Sequence, residues 1–112
     1  MDTINKSVQQ LLKEIRKSDV YKEYRKQEEL LSKNKELKER VDKFRADNYR
    51  LQTEKDKELF LAKVQEVEKE SEQLSKIPRA SAYLAAELAF CQMMQIVCRD
   101  LTTGIEMTVP IV

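Results

Sequence analysis

The sequence predicts an all-α fold: an antiparallel helical bundle of four to five helices with a long, largely buried C-terminal helix. Three observations carry this. The 112 residues include one Gly, two Pro, no Trp and no His, and the abundance of Leu, Glu, Lys and Arg is the composition of long helices. Apolar residues recur at three- and four-residue spacings along most of the chain, which places them on one face of a helix. The stretch "YLAAELAFCQMMQIVCRDL", Tyr83 to Leu101, is the least polar run in a chain of which 37% is charged, and it is long enough to need cover on several sides.

Taken in order, Ile4, Val8, Leu11 and Ile15 form the apolar face of a first helix, widened by Leu12. Ser18-Asp19 then offers N-cap chemistry, and Val20, Tyr24, Leu30 and Leu31 restart the pattern in a second. In "LLSKNKEL", Ser32 or Asn34 can accept from the free amides of a helix that begins near Lys35. That third helix turns Leu37, Val41, Phe44, Asn48 and Leu51 one way. "TEKDKE", Thr53 to Glu58, has no apolar residue; it fits a solvated helical turn or a break, and two cap residues, Thr53 and Asp56, favour the break. Phe60, Val64, Val67, Ser71 and Leu74 make a fourth stripe. Pro78 disfavours helical backbone at Ile77 and suits the first position of a new helix. The last helix is expected from about Arg79 to Thr103, with Gly104 as its stop and residues 104–112 as a tail. No internal repeat or low-complexity linker divides residues 1–112, which are expected to form a single domain.

Charge excludes several function classes. The 21 basic and 20 acidic residues leave a formal charge of +1, too little to attract a polyanion generally. Residues 1–50 carry 14 basic and 10 acidic side chains, net +4, and residues 51–112 carry 7 and 10, net −3, so antiparallel halves attract. Glu66/Glu70 and Glu68/Glu72 are like-charge pairs one turn apart, and a basic cluster such as Lys22, Arg25 and Lys26 would relieve them. Tyr21, Lys22, Tyr24, Arg25 and Lys26 come closest to a nucleic-acid surface, but Glu23, Glu28 and Glu29 interrupt it, and direct nucleic-acid binding is not expected. Without His there is no His-dependent triad, and with Gly104 as the one glycine there is no phosphate loop. "MDTINKSVQQ" has no apolar h-region, so a cytoplasmic location is expected. Tyr83 to Leu101 approaches the length of a bilayer span, but Glu87, Gln92, Gln95, Arg99 and Asp100 interrupt it; a buried helix, not a membrane one, is the expectation.

On that last helix Leu84, Leu88, Cys91, Gln95, Cys98 and Ile105 lie along one seam, and Tyr83, Phe90, Met94, Val97 and Leu101 along another. A helix apolar on both seams must be covered on several sides, and short amphipathic neighbours in one chain do not suffice. A homodimer or larger assembly is therefore expected, with Leu84, Leu88, Cys91, Met94, Cys98 and Leu101 at its interface. Met93 and Met94 read as adaptable core fillers. Cys91 and Cys98 are separated by about 10.5 Å of helical rise and cannot pair within the helix, since disulfide Cα atoms lie about 4.4–6.8 Å apart. Metal binding takes about four ligands; these two cysteines are the only candidates, and they are expected to be reduced, buried packing residues with no metal and no cofactor. Glu87 in this apolar helix is expected to form a structural polar pair with Arg45, or with a Lys of another helix, because an unpaired buried carboxylate is costly. No catalytic residue is identified.

The order of "SDVYKEY" (Ser18 to Tyr24), "LLSKNKEL" (Leu30 to Leu37), "VDKFRADNYRLQ" (Val41 to Gln52) and "IPRASAYLAAE" (Ile77 to Glu87) resembles the YlbF/YmcA family of small all-helical bacterial regulators, which includes the YheA-like proteins. Glu87 matches that family's "AE" position, and Arg45 and Asn48 its "FR..N" segment. Where the family often has Asn-Pro at a helix start, Lys35 replaces the first such Pro, and Ile77-Pro78 stands for the second. The resemblance implies antiparallel helices that dimerise or oligomerise and no catalytic activity. Better-studied members act with YaaT in a complex that influences competence, sporulation and biofilm formation, and affects RNA processing through ribonuclease Y. Some family complexes resemble iron-sulfur proteins with cysteines in C-terminal tails; Gly104 to Val112 has none. The expected function is thus that of a regulatory adaptor working through protein-protein contact with itself and other YlbF/YmcA-type proteins. The alternative is a structural oligomerisation module with no partner beyond itself.

Overall fold

Each helix begins or ends at a side chain suited to the task. The computed structural model describes residues 1–105, in which α1 (Asp2–Lys17), α2 (Asp19–Ser32), α3 (Lys35–Leu51), α4 (Lys57–Ser75) and α5 (Pro78–Gly104) follow one another with no strand among the described residues. Ser18 is extended, with φ −66° and ψ 146°. Its Oγ donates to the Ile15 carbonyl at 2.6 Å and accepts from the Tyr21 amide at 3.2 Å, closing α1 and opening α2 with one hydroxyl. Asn34, not Ser32, caps α3: the Leu37 amide donates to Asn34 Oδ1 at 3.1 Å, while the Ser32 hydroxyl donates back to Glu29. The "TEKDKE" segment is a break. Thr53 turns its hydroxyl onto the Arg50 carbonyl behind it, and Asp56 accepts from the amides of Glu58 and Leu59 ahead. Pro78 takes the first position of α5, where its missing N–H costs nothing. Gly104 lies inside the last turn, one residue past the expected end. Beyond Ile105, the tail expectation falls outside the described residues.

The chain divides into two compact units, one of residues Gln27–Leu84 and one of Met1–Lys26 with the chain from Ala85. In the first, α3 and α4 pack as an antiparallel hairpin. Val41 of α3 and Leu74 of α4 are fully buried, and Leu31, Leu37, Ala80 and Tyr83 are buried too. Burying a Leu or Val side chain fully contributes roughly 1.5–3 kcal/mol. Register is held by Arg40, whose Nε donates to Glu70 Oε1 at 2.6 Å and whose Nη2 donates to Gln73 Oε1 at 2.9 Å. Arg40 thus supplies the cation that the Glu66/Glu70 repulsion called for. Toward the hairpin loop this core thins: Phe44 and Val67 are half-buried, and Tyr49, Leu59, Phe60 and Leu61 are exposed.

In the second unit, α1 has no buried residue; Leu11, Leu12 and Ile15 are half-buried, and Ile4 and Val8 are exposed. Phe90 of α5 meets two rings of α2, Tyr24 stacked at 5.1 Å between centroids and Tyr21 tilted at 5.5 Å, distances typical of stabilising aromatic pairs.

Within the single chain the C-terminal helix is not largely buried. Only 11% of the most apolar part of α5 is buried within the chain. The physical reason is a shortage of cover: the other four helices present one apolar stripe each, and α5 carries two seams. Cys91 and Cys98 are both free, and within the single chain they are exposed.

Candidate functional site

The two seams of α5 have different fates. Tyr83 and Ala86 are buried and Phe90, Met93, Met94 and Val97 half-buried, so this side faces protein as far as Val97, while Leu101 at its end is 57% exposed. Cys91, Gln95 and Cys98 of the other seam each follow an inward residue by a single position, about 100° around the helix, and are turned out, whereas Leu84, which follows Tyr83, is half-buried. Leu88 is 58% exposed, and Cys91, Gln95, Cys98 and Ile105 are exposed with it. Ile96, 48% exposed, widens the surface. Between Leu84 and Ile105 only Glu87, Arg99 and Asp100 are charged, and Arg99 and Asp100 approach each other at 3.6 Å. The result is a neutral, apolar helix face in a strongly charged chain.

Of the residues expected at an interface, Leu88, Cys91, Cys98 and Leu101 are exposed, whereas Leu84 and Met94 are half-buried. Met94 belongs to the inward seam. Glu87 is half-buried. Arg45 lies 3.9 Å from Asp42 and holds its guanidinium 5.8 Å from the centroid of the Tyr83 ring, within cation–π range.

Two apolar surfaces were missed by stripe-reading. Leu59, Phe60 and Leu61 are consecutive, and three adjacent helical residues cannot all face one core; that was the available signal. Ile4 and Val8 were assigned to a packed face, but α1 reaches protein only from Leu11 onward.

Other chemistry is thin. Beside the α3–α4 hairpin an open groove of about 450 Å³ sets Arg40, Lys43, Arg50 and Lys63 among Asp47, Glu66 and Glu70. Two of these cations are already paired, Arg40 with Glu70 and Lys43 with Asp47, and the mixed signs make no anion site. The hydrogen bond from Lys43 to Asp47 raises the Lys43 pKa, and that from Lys38 to Asp42 does the same for Lys38. Among the described residues no group of three or more His, Cys, Asp or Glu is placed to hold a metal ion. Tyr21 and Tyr24, the aromatic part of the weak nucleic-acid candidate, are engaged with Phe90.

Fold and surface together define a class: a small all-helical protein whose most prominent feature is an uncovered apolar helix face rather than a reaction centre. The chain belongs to the YlbF/YmcA family, whose model, described as control of competence regulator ComK, matches residues 4–106. This is a regulatory family, and its match runs from within the first turn of α1 through the end of α5. No curated protein and no solved structure matches the chain.

Proposed function

We propose that this protein is a cytoplasmic, non-enzymatic adaptor of the YlbF/YmcA type. It acts by assembling with itself and with other regulators of that type in competence-related control. The observation that carries this reading is the outward seam of α5, because an exposed contiguous apolar surface on a small protein marks a contact with another molecule. α5 is also long and apolar enough to cross a membrane, but Glu87, Arg99 and Asp100 sit within it, and charges at bilayer depth are costly. Protein, not lipid, covers it. Engagement of Tyr21 and Tyr24 with Phe90 counts against a nucleic-acid role.

Light scattering on the purified chain, wild type beside Leu88→Lys, tests the reading. The wild type is expected as a dimer or larger species and the variant as a monomer of equal helicity. Wild-type protein that stays monomeric at high concentration overturns self-assembly; a variant that stays assembled places the interface elsewhere. The structural-module alternative has the heptad-like seam in its favour. It predicts self-assembly and no binding when other YlbF/YmcA-type proteins are titrated onto the chain.

A further inference from the structure

Resting on the reading that α5 mediates self-assembly, we infer that its outward seam pairs in parallel and in register with that of a second copy, so that Cys91 and Cys98 each face their own counterpart and oxidation locks the pair.

Leu84, Leu88, Cys91, Gln95, Cys98 and Ile105 are spaced by four and three residues in alternation, with Thr102 filling the remaining position. Three heptads without interruption are the repeat of a coiled-coil seam, and they fit a helix with the same repeat. Thr102 does not spoil it, since its hydroxyl is turned onto the Cys98 and Arg99 carbonyls of its own helix at 3.1 and 3.0 Å. The seam carries no charge, which suits an equally neutral face and neither phosphate nor lipid headgroups. With Leu88 and Gln95 as a positions, the flanking contacts of a parallel pair are Glu87 with Gln92 and Met94 with Arg99 of the second copy, so no like charges meet.

Gln95 decides the direction. A polar residue at one a position specifies register. Parallel alignment sets Gln95 against Gln95 of the second copy, where two amides hydrogen-bond. Antiparallel alignment sets a against d, leaving the amide opposite a cysteine. Cys91 and Cys98 then occupy successive d layers. Helix axes about 8–10 Å apart, with Cα atoms about 2.3 Å off axis, bring facing Cα atoms to roughly 5 Å. That lies within the range a disulfide spans. Each cross-link joins two Sγ atoms and releases two protons and two electrons. A low-molecular-weight disulfide accepts them, its own S–S bond breaking to give two thiols by successive exchange.

The test uses the full chain at a concentration where light scattering has established its assembly state. It is treated with diamide, which takes the electrons at its N=N bond and becomes the hydrazine, then resolved without reductant and mapped by mass spectrometry. The expected result is a reducible covalent dimer carrying Cys91–Cys91 and Cys98–Cys98 links. Cys91→Ser and Cys98→Ser should each still cross-link, and the double variant should not. Mixed Cys91–Cys98 links, with both single variants failing, overturn the parallel register. An assembled but uncross-linked protein overturns this inference while leaving self-assembly standing; a monomer without cross-links overturns both. Leu88→Lys keeps both thiols and should lose the link; an undiminished yield in that variant means random collision and overturns the pairing.

Discussion

Residues 27–84 and the unit formed by residues 1–26 with the chain from Ala85 are made of the same material, amphipathic helix, yet one closes and the other stays open. In the first, α3 and α4 each bring one apolar stripe, and the stripes satisfy each other: Val41 and Leu74 are fully buried and Arg40 clamps the register. In the second, α1 buries nothing and α5 turns Leu88, Cys91, Gln95 and Cys98 outward. An amphipathic helix closes when its chain supplies a matching face. Where one helix has two apolar faces and its chain supplies cover for one, the other stays exposed.

The sharpest way to break this comparison is to truncate one leucine from each unit. Leu74→Ala should lower the unfolding free energy by about 2–5 kcal/mol, by an amount independent of protein concentration, because that core is complete within one chain. Leu88→Ala should leave the unfolding of dilute protein nearly unchanged and cost stability only where the protein is assembled. Urea titrations at two concentrations well apart distinguish them. A concentration-independent loss of similar size in Leu88→Ala would mean that α5 is covered by its own chain.

How much of this was legible beforehand follows from which forces are local. Caps depend on one side chain and the next three amides, so Ser18 and the Pro78 helix start could be read directly. Caps also narrowed the start of α3 to Ser32 or Asn34 and favoured a break over a solvated helical turn at Thr53 to Glu58 without deciding it. The family likeness was legible partly for the same reason, since three of its four motifs, those at Ser18, Leu30 and Ile77, sit at those boundaries. Which seam of α5 faces inward was not legible, because both are apolar and the choice is made by Tyr21 and Tyr24 closing on Phe90. Nor was the Arg40–Glu70 bond, which depends on hairpin register across thirty residues. That Cys91 and Cys98 are exposed within one chain follows from the choice of seam, because both lie on the one turned away from Tyr21 and Tyr24.

A smaller effect probes the boundary of the closed unit. Asn34→Ala removes the acceptor for the Leu37 amide and should cost about 1 kcal/mol, measured by thermal melting with calorimetry. Asn34→Asp should recover most of it, because Asp caps as well and places a negative charge at the helix N-terminus. Failure of Asp to recover the loss would show that Asn34 acts through the Leu31–Asn34 turn rather than through its side chain.

The smallest expected effect lies on the exposed flank of α3, and its sign is set by two lysines. Lys38 and Lys43 have pKa values raised above 10.5, first by the hydrogen bonds they donate to Asp42 and Asp47 and then by the charges of those carboxylates. A lysine held protonated more firmly in the folded state than in the unfolded one stabilises the fold fully below the unfolded value. That contribution disappears as pH rises through the higher folded value. Stability should therefore fall through and above pH 10.5, and the Asp42→Asn/Asp47→Asn double variant should fall less. Tyrosine ionisation in the same range is common to both proteins and cancels in the difference. Both lysines are solvated, so the difference should be small and should shrink further in high salt. If the two pH profiles remain parallel through this range, the paired lysines contribute nothing to the closed unit, whose stability then rests on its apolar core and the Arg40 clamp.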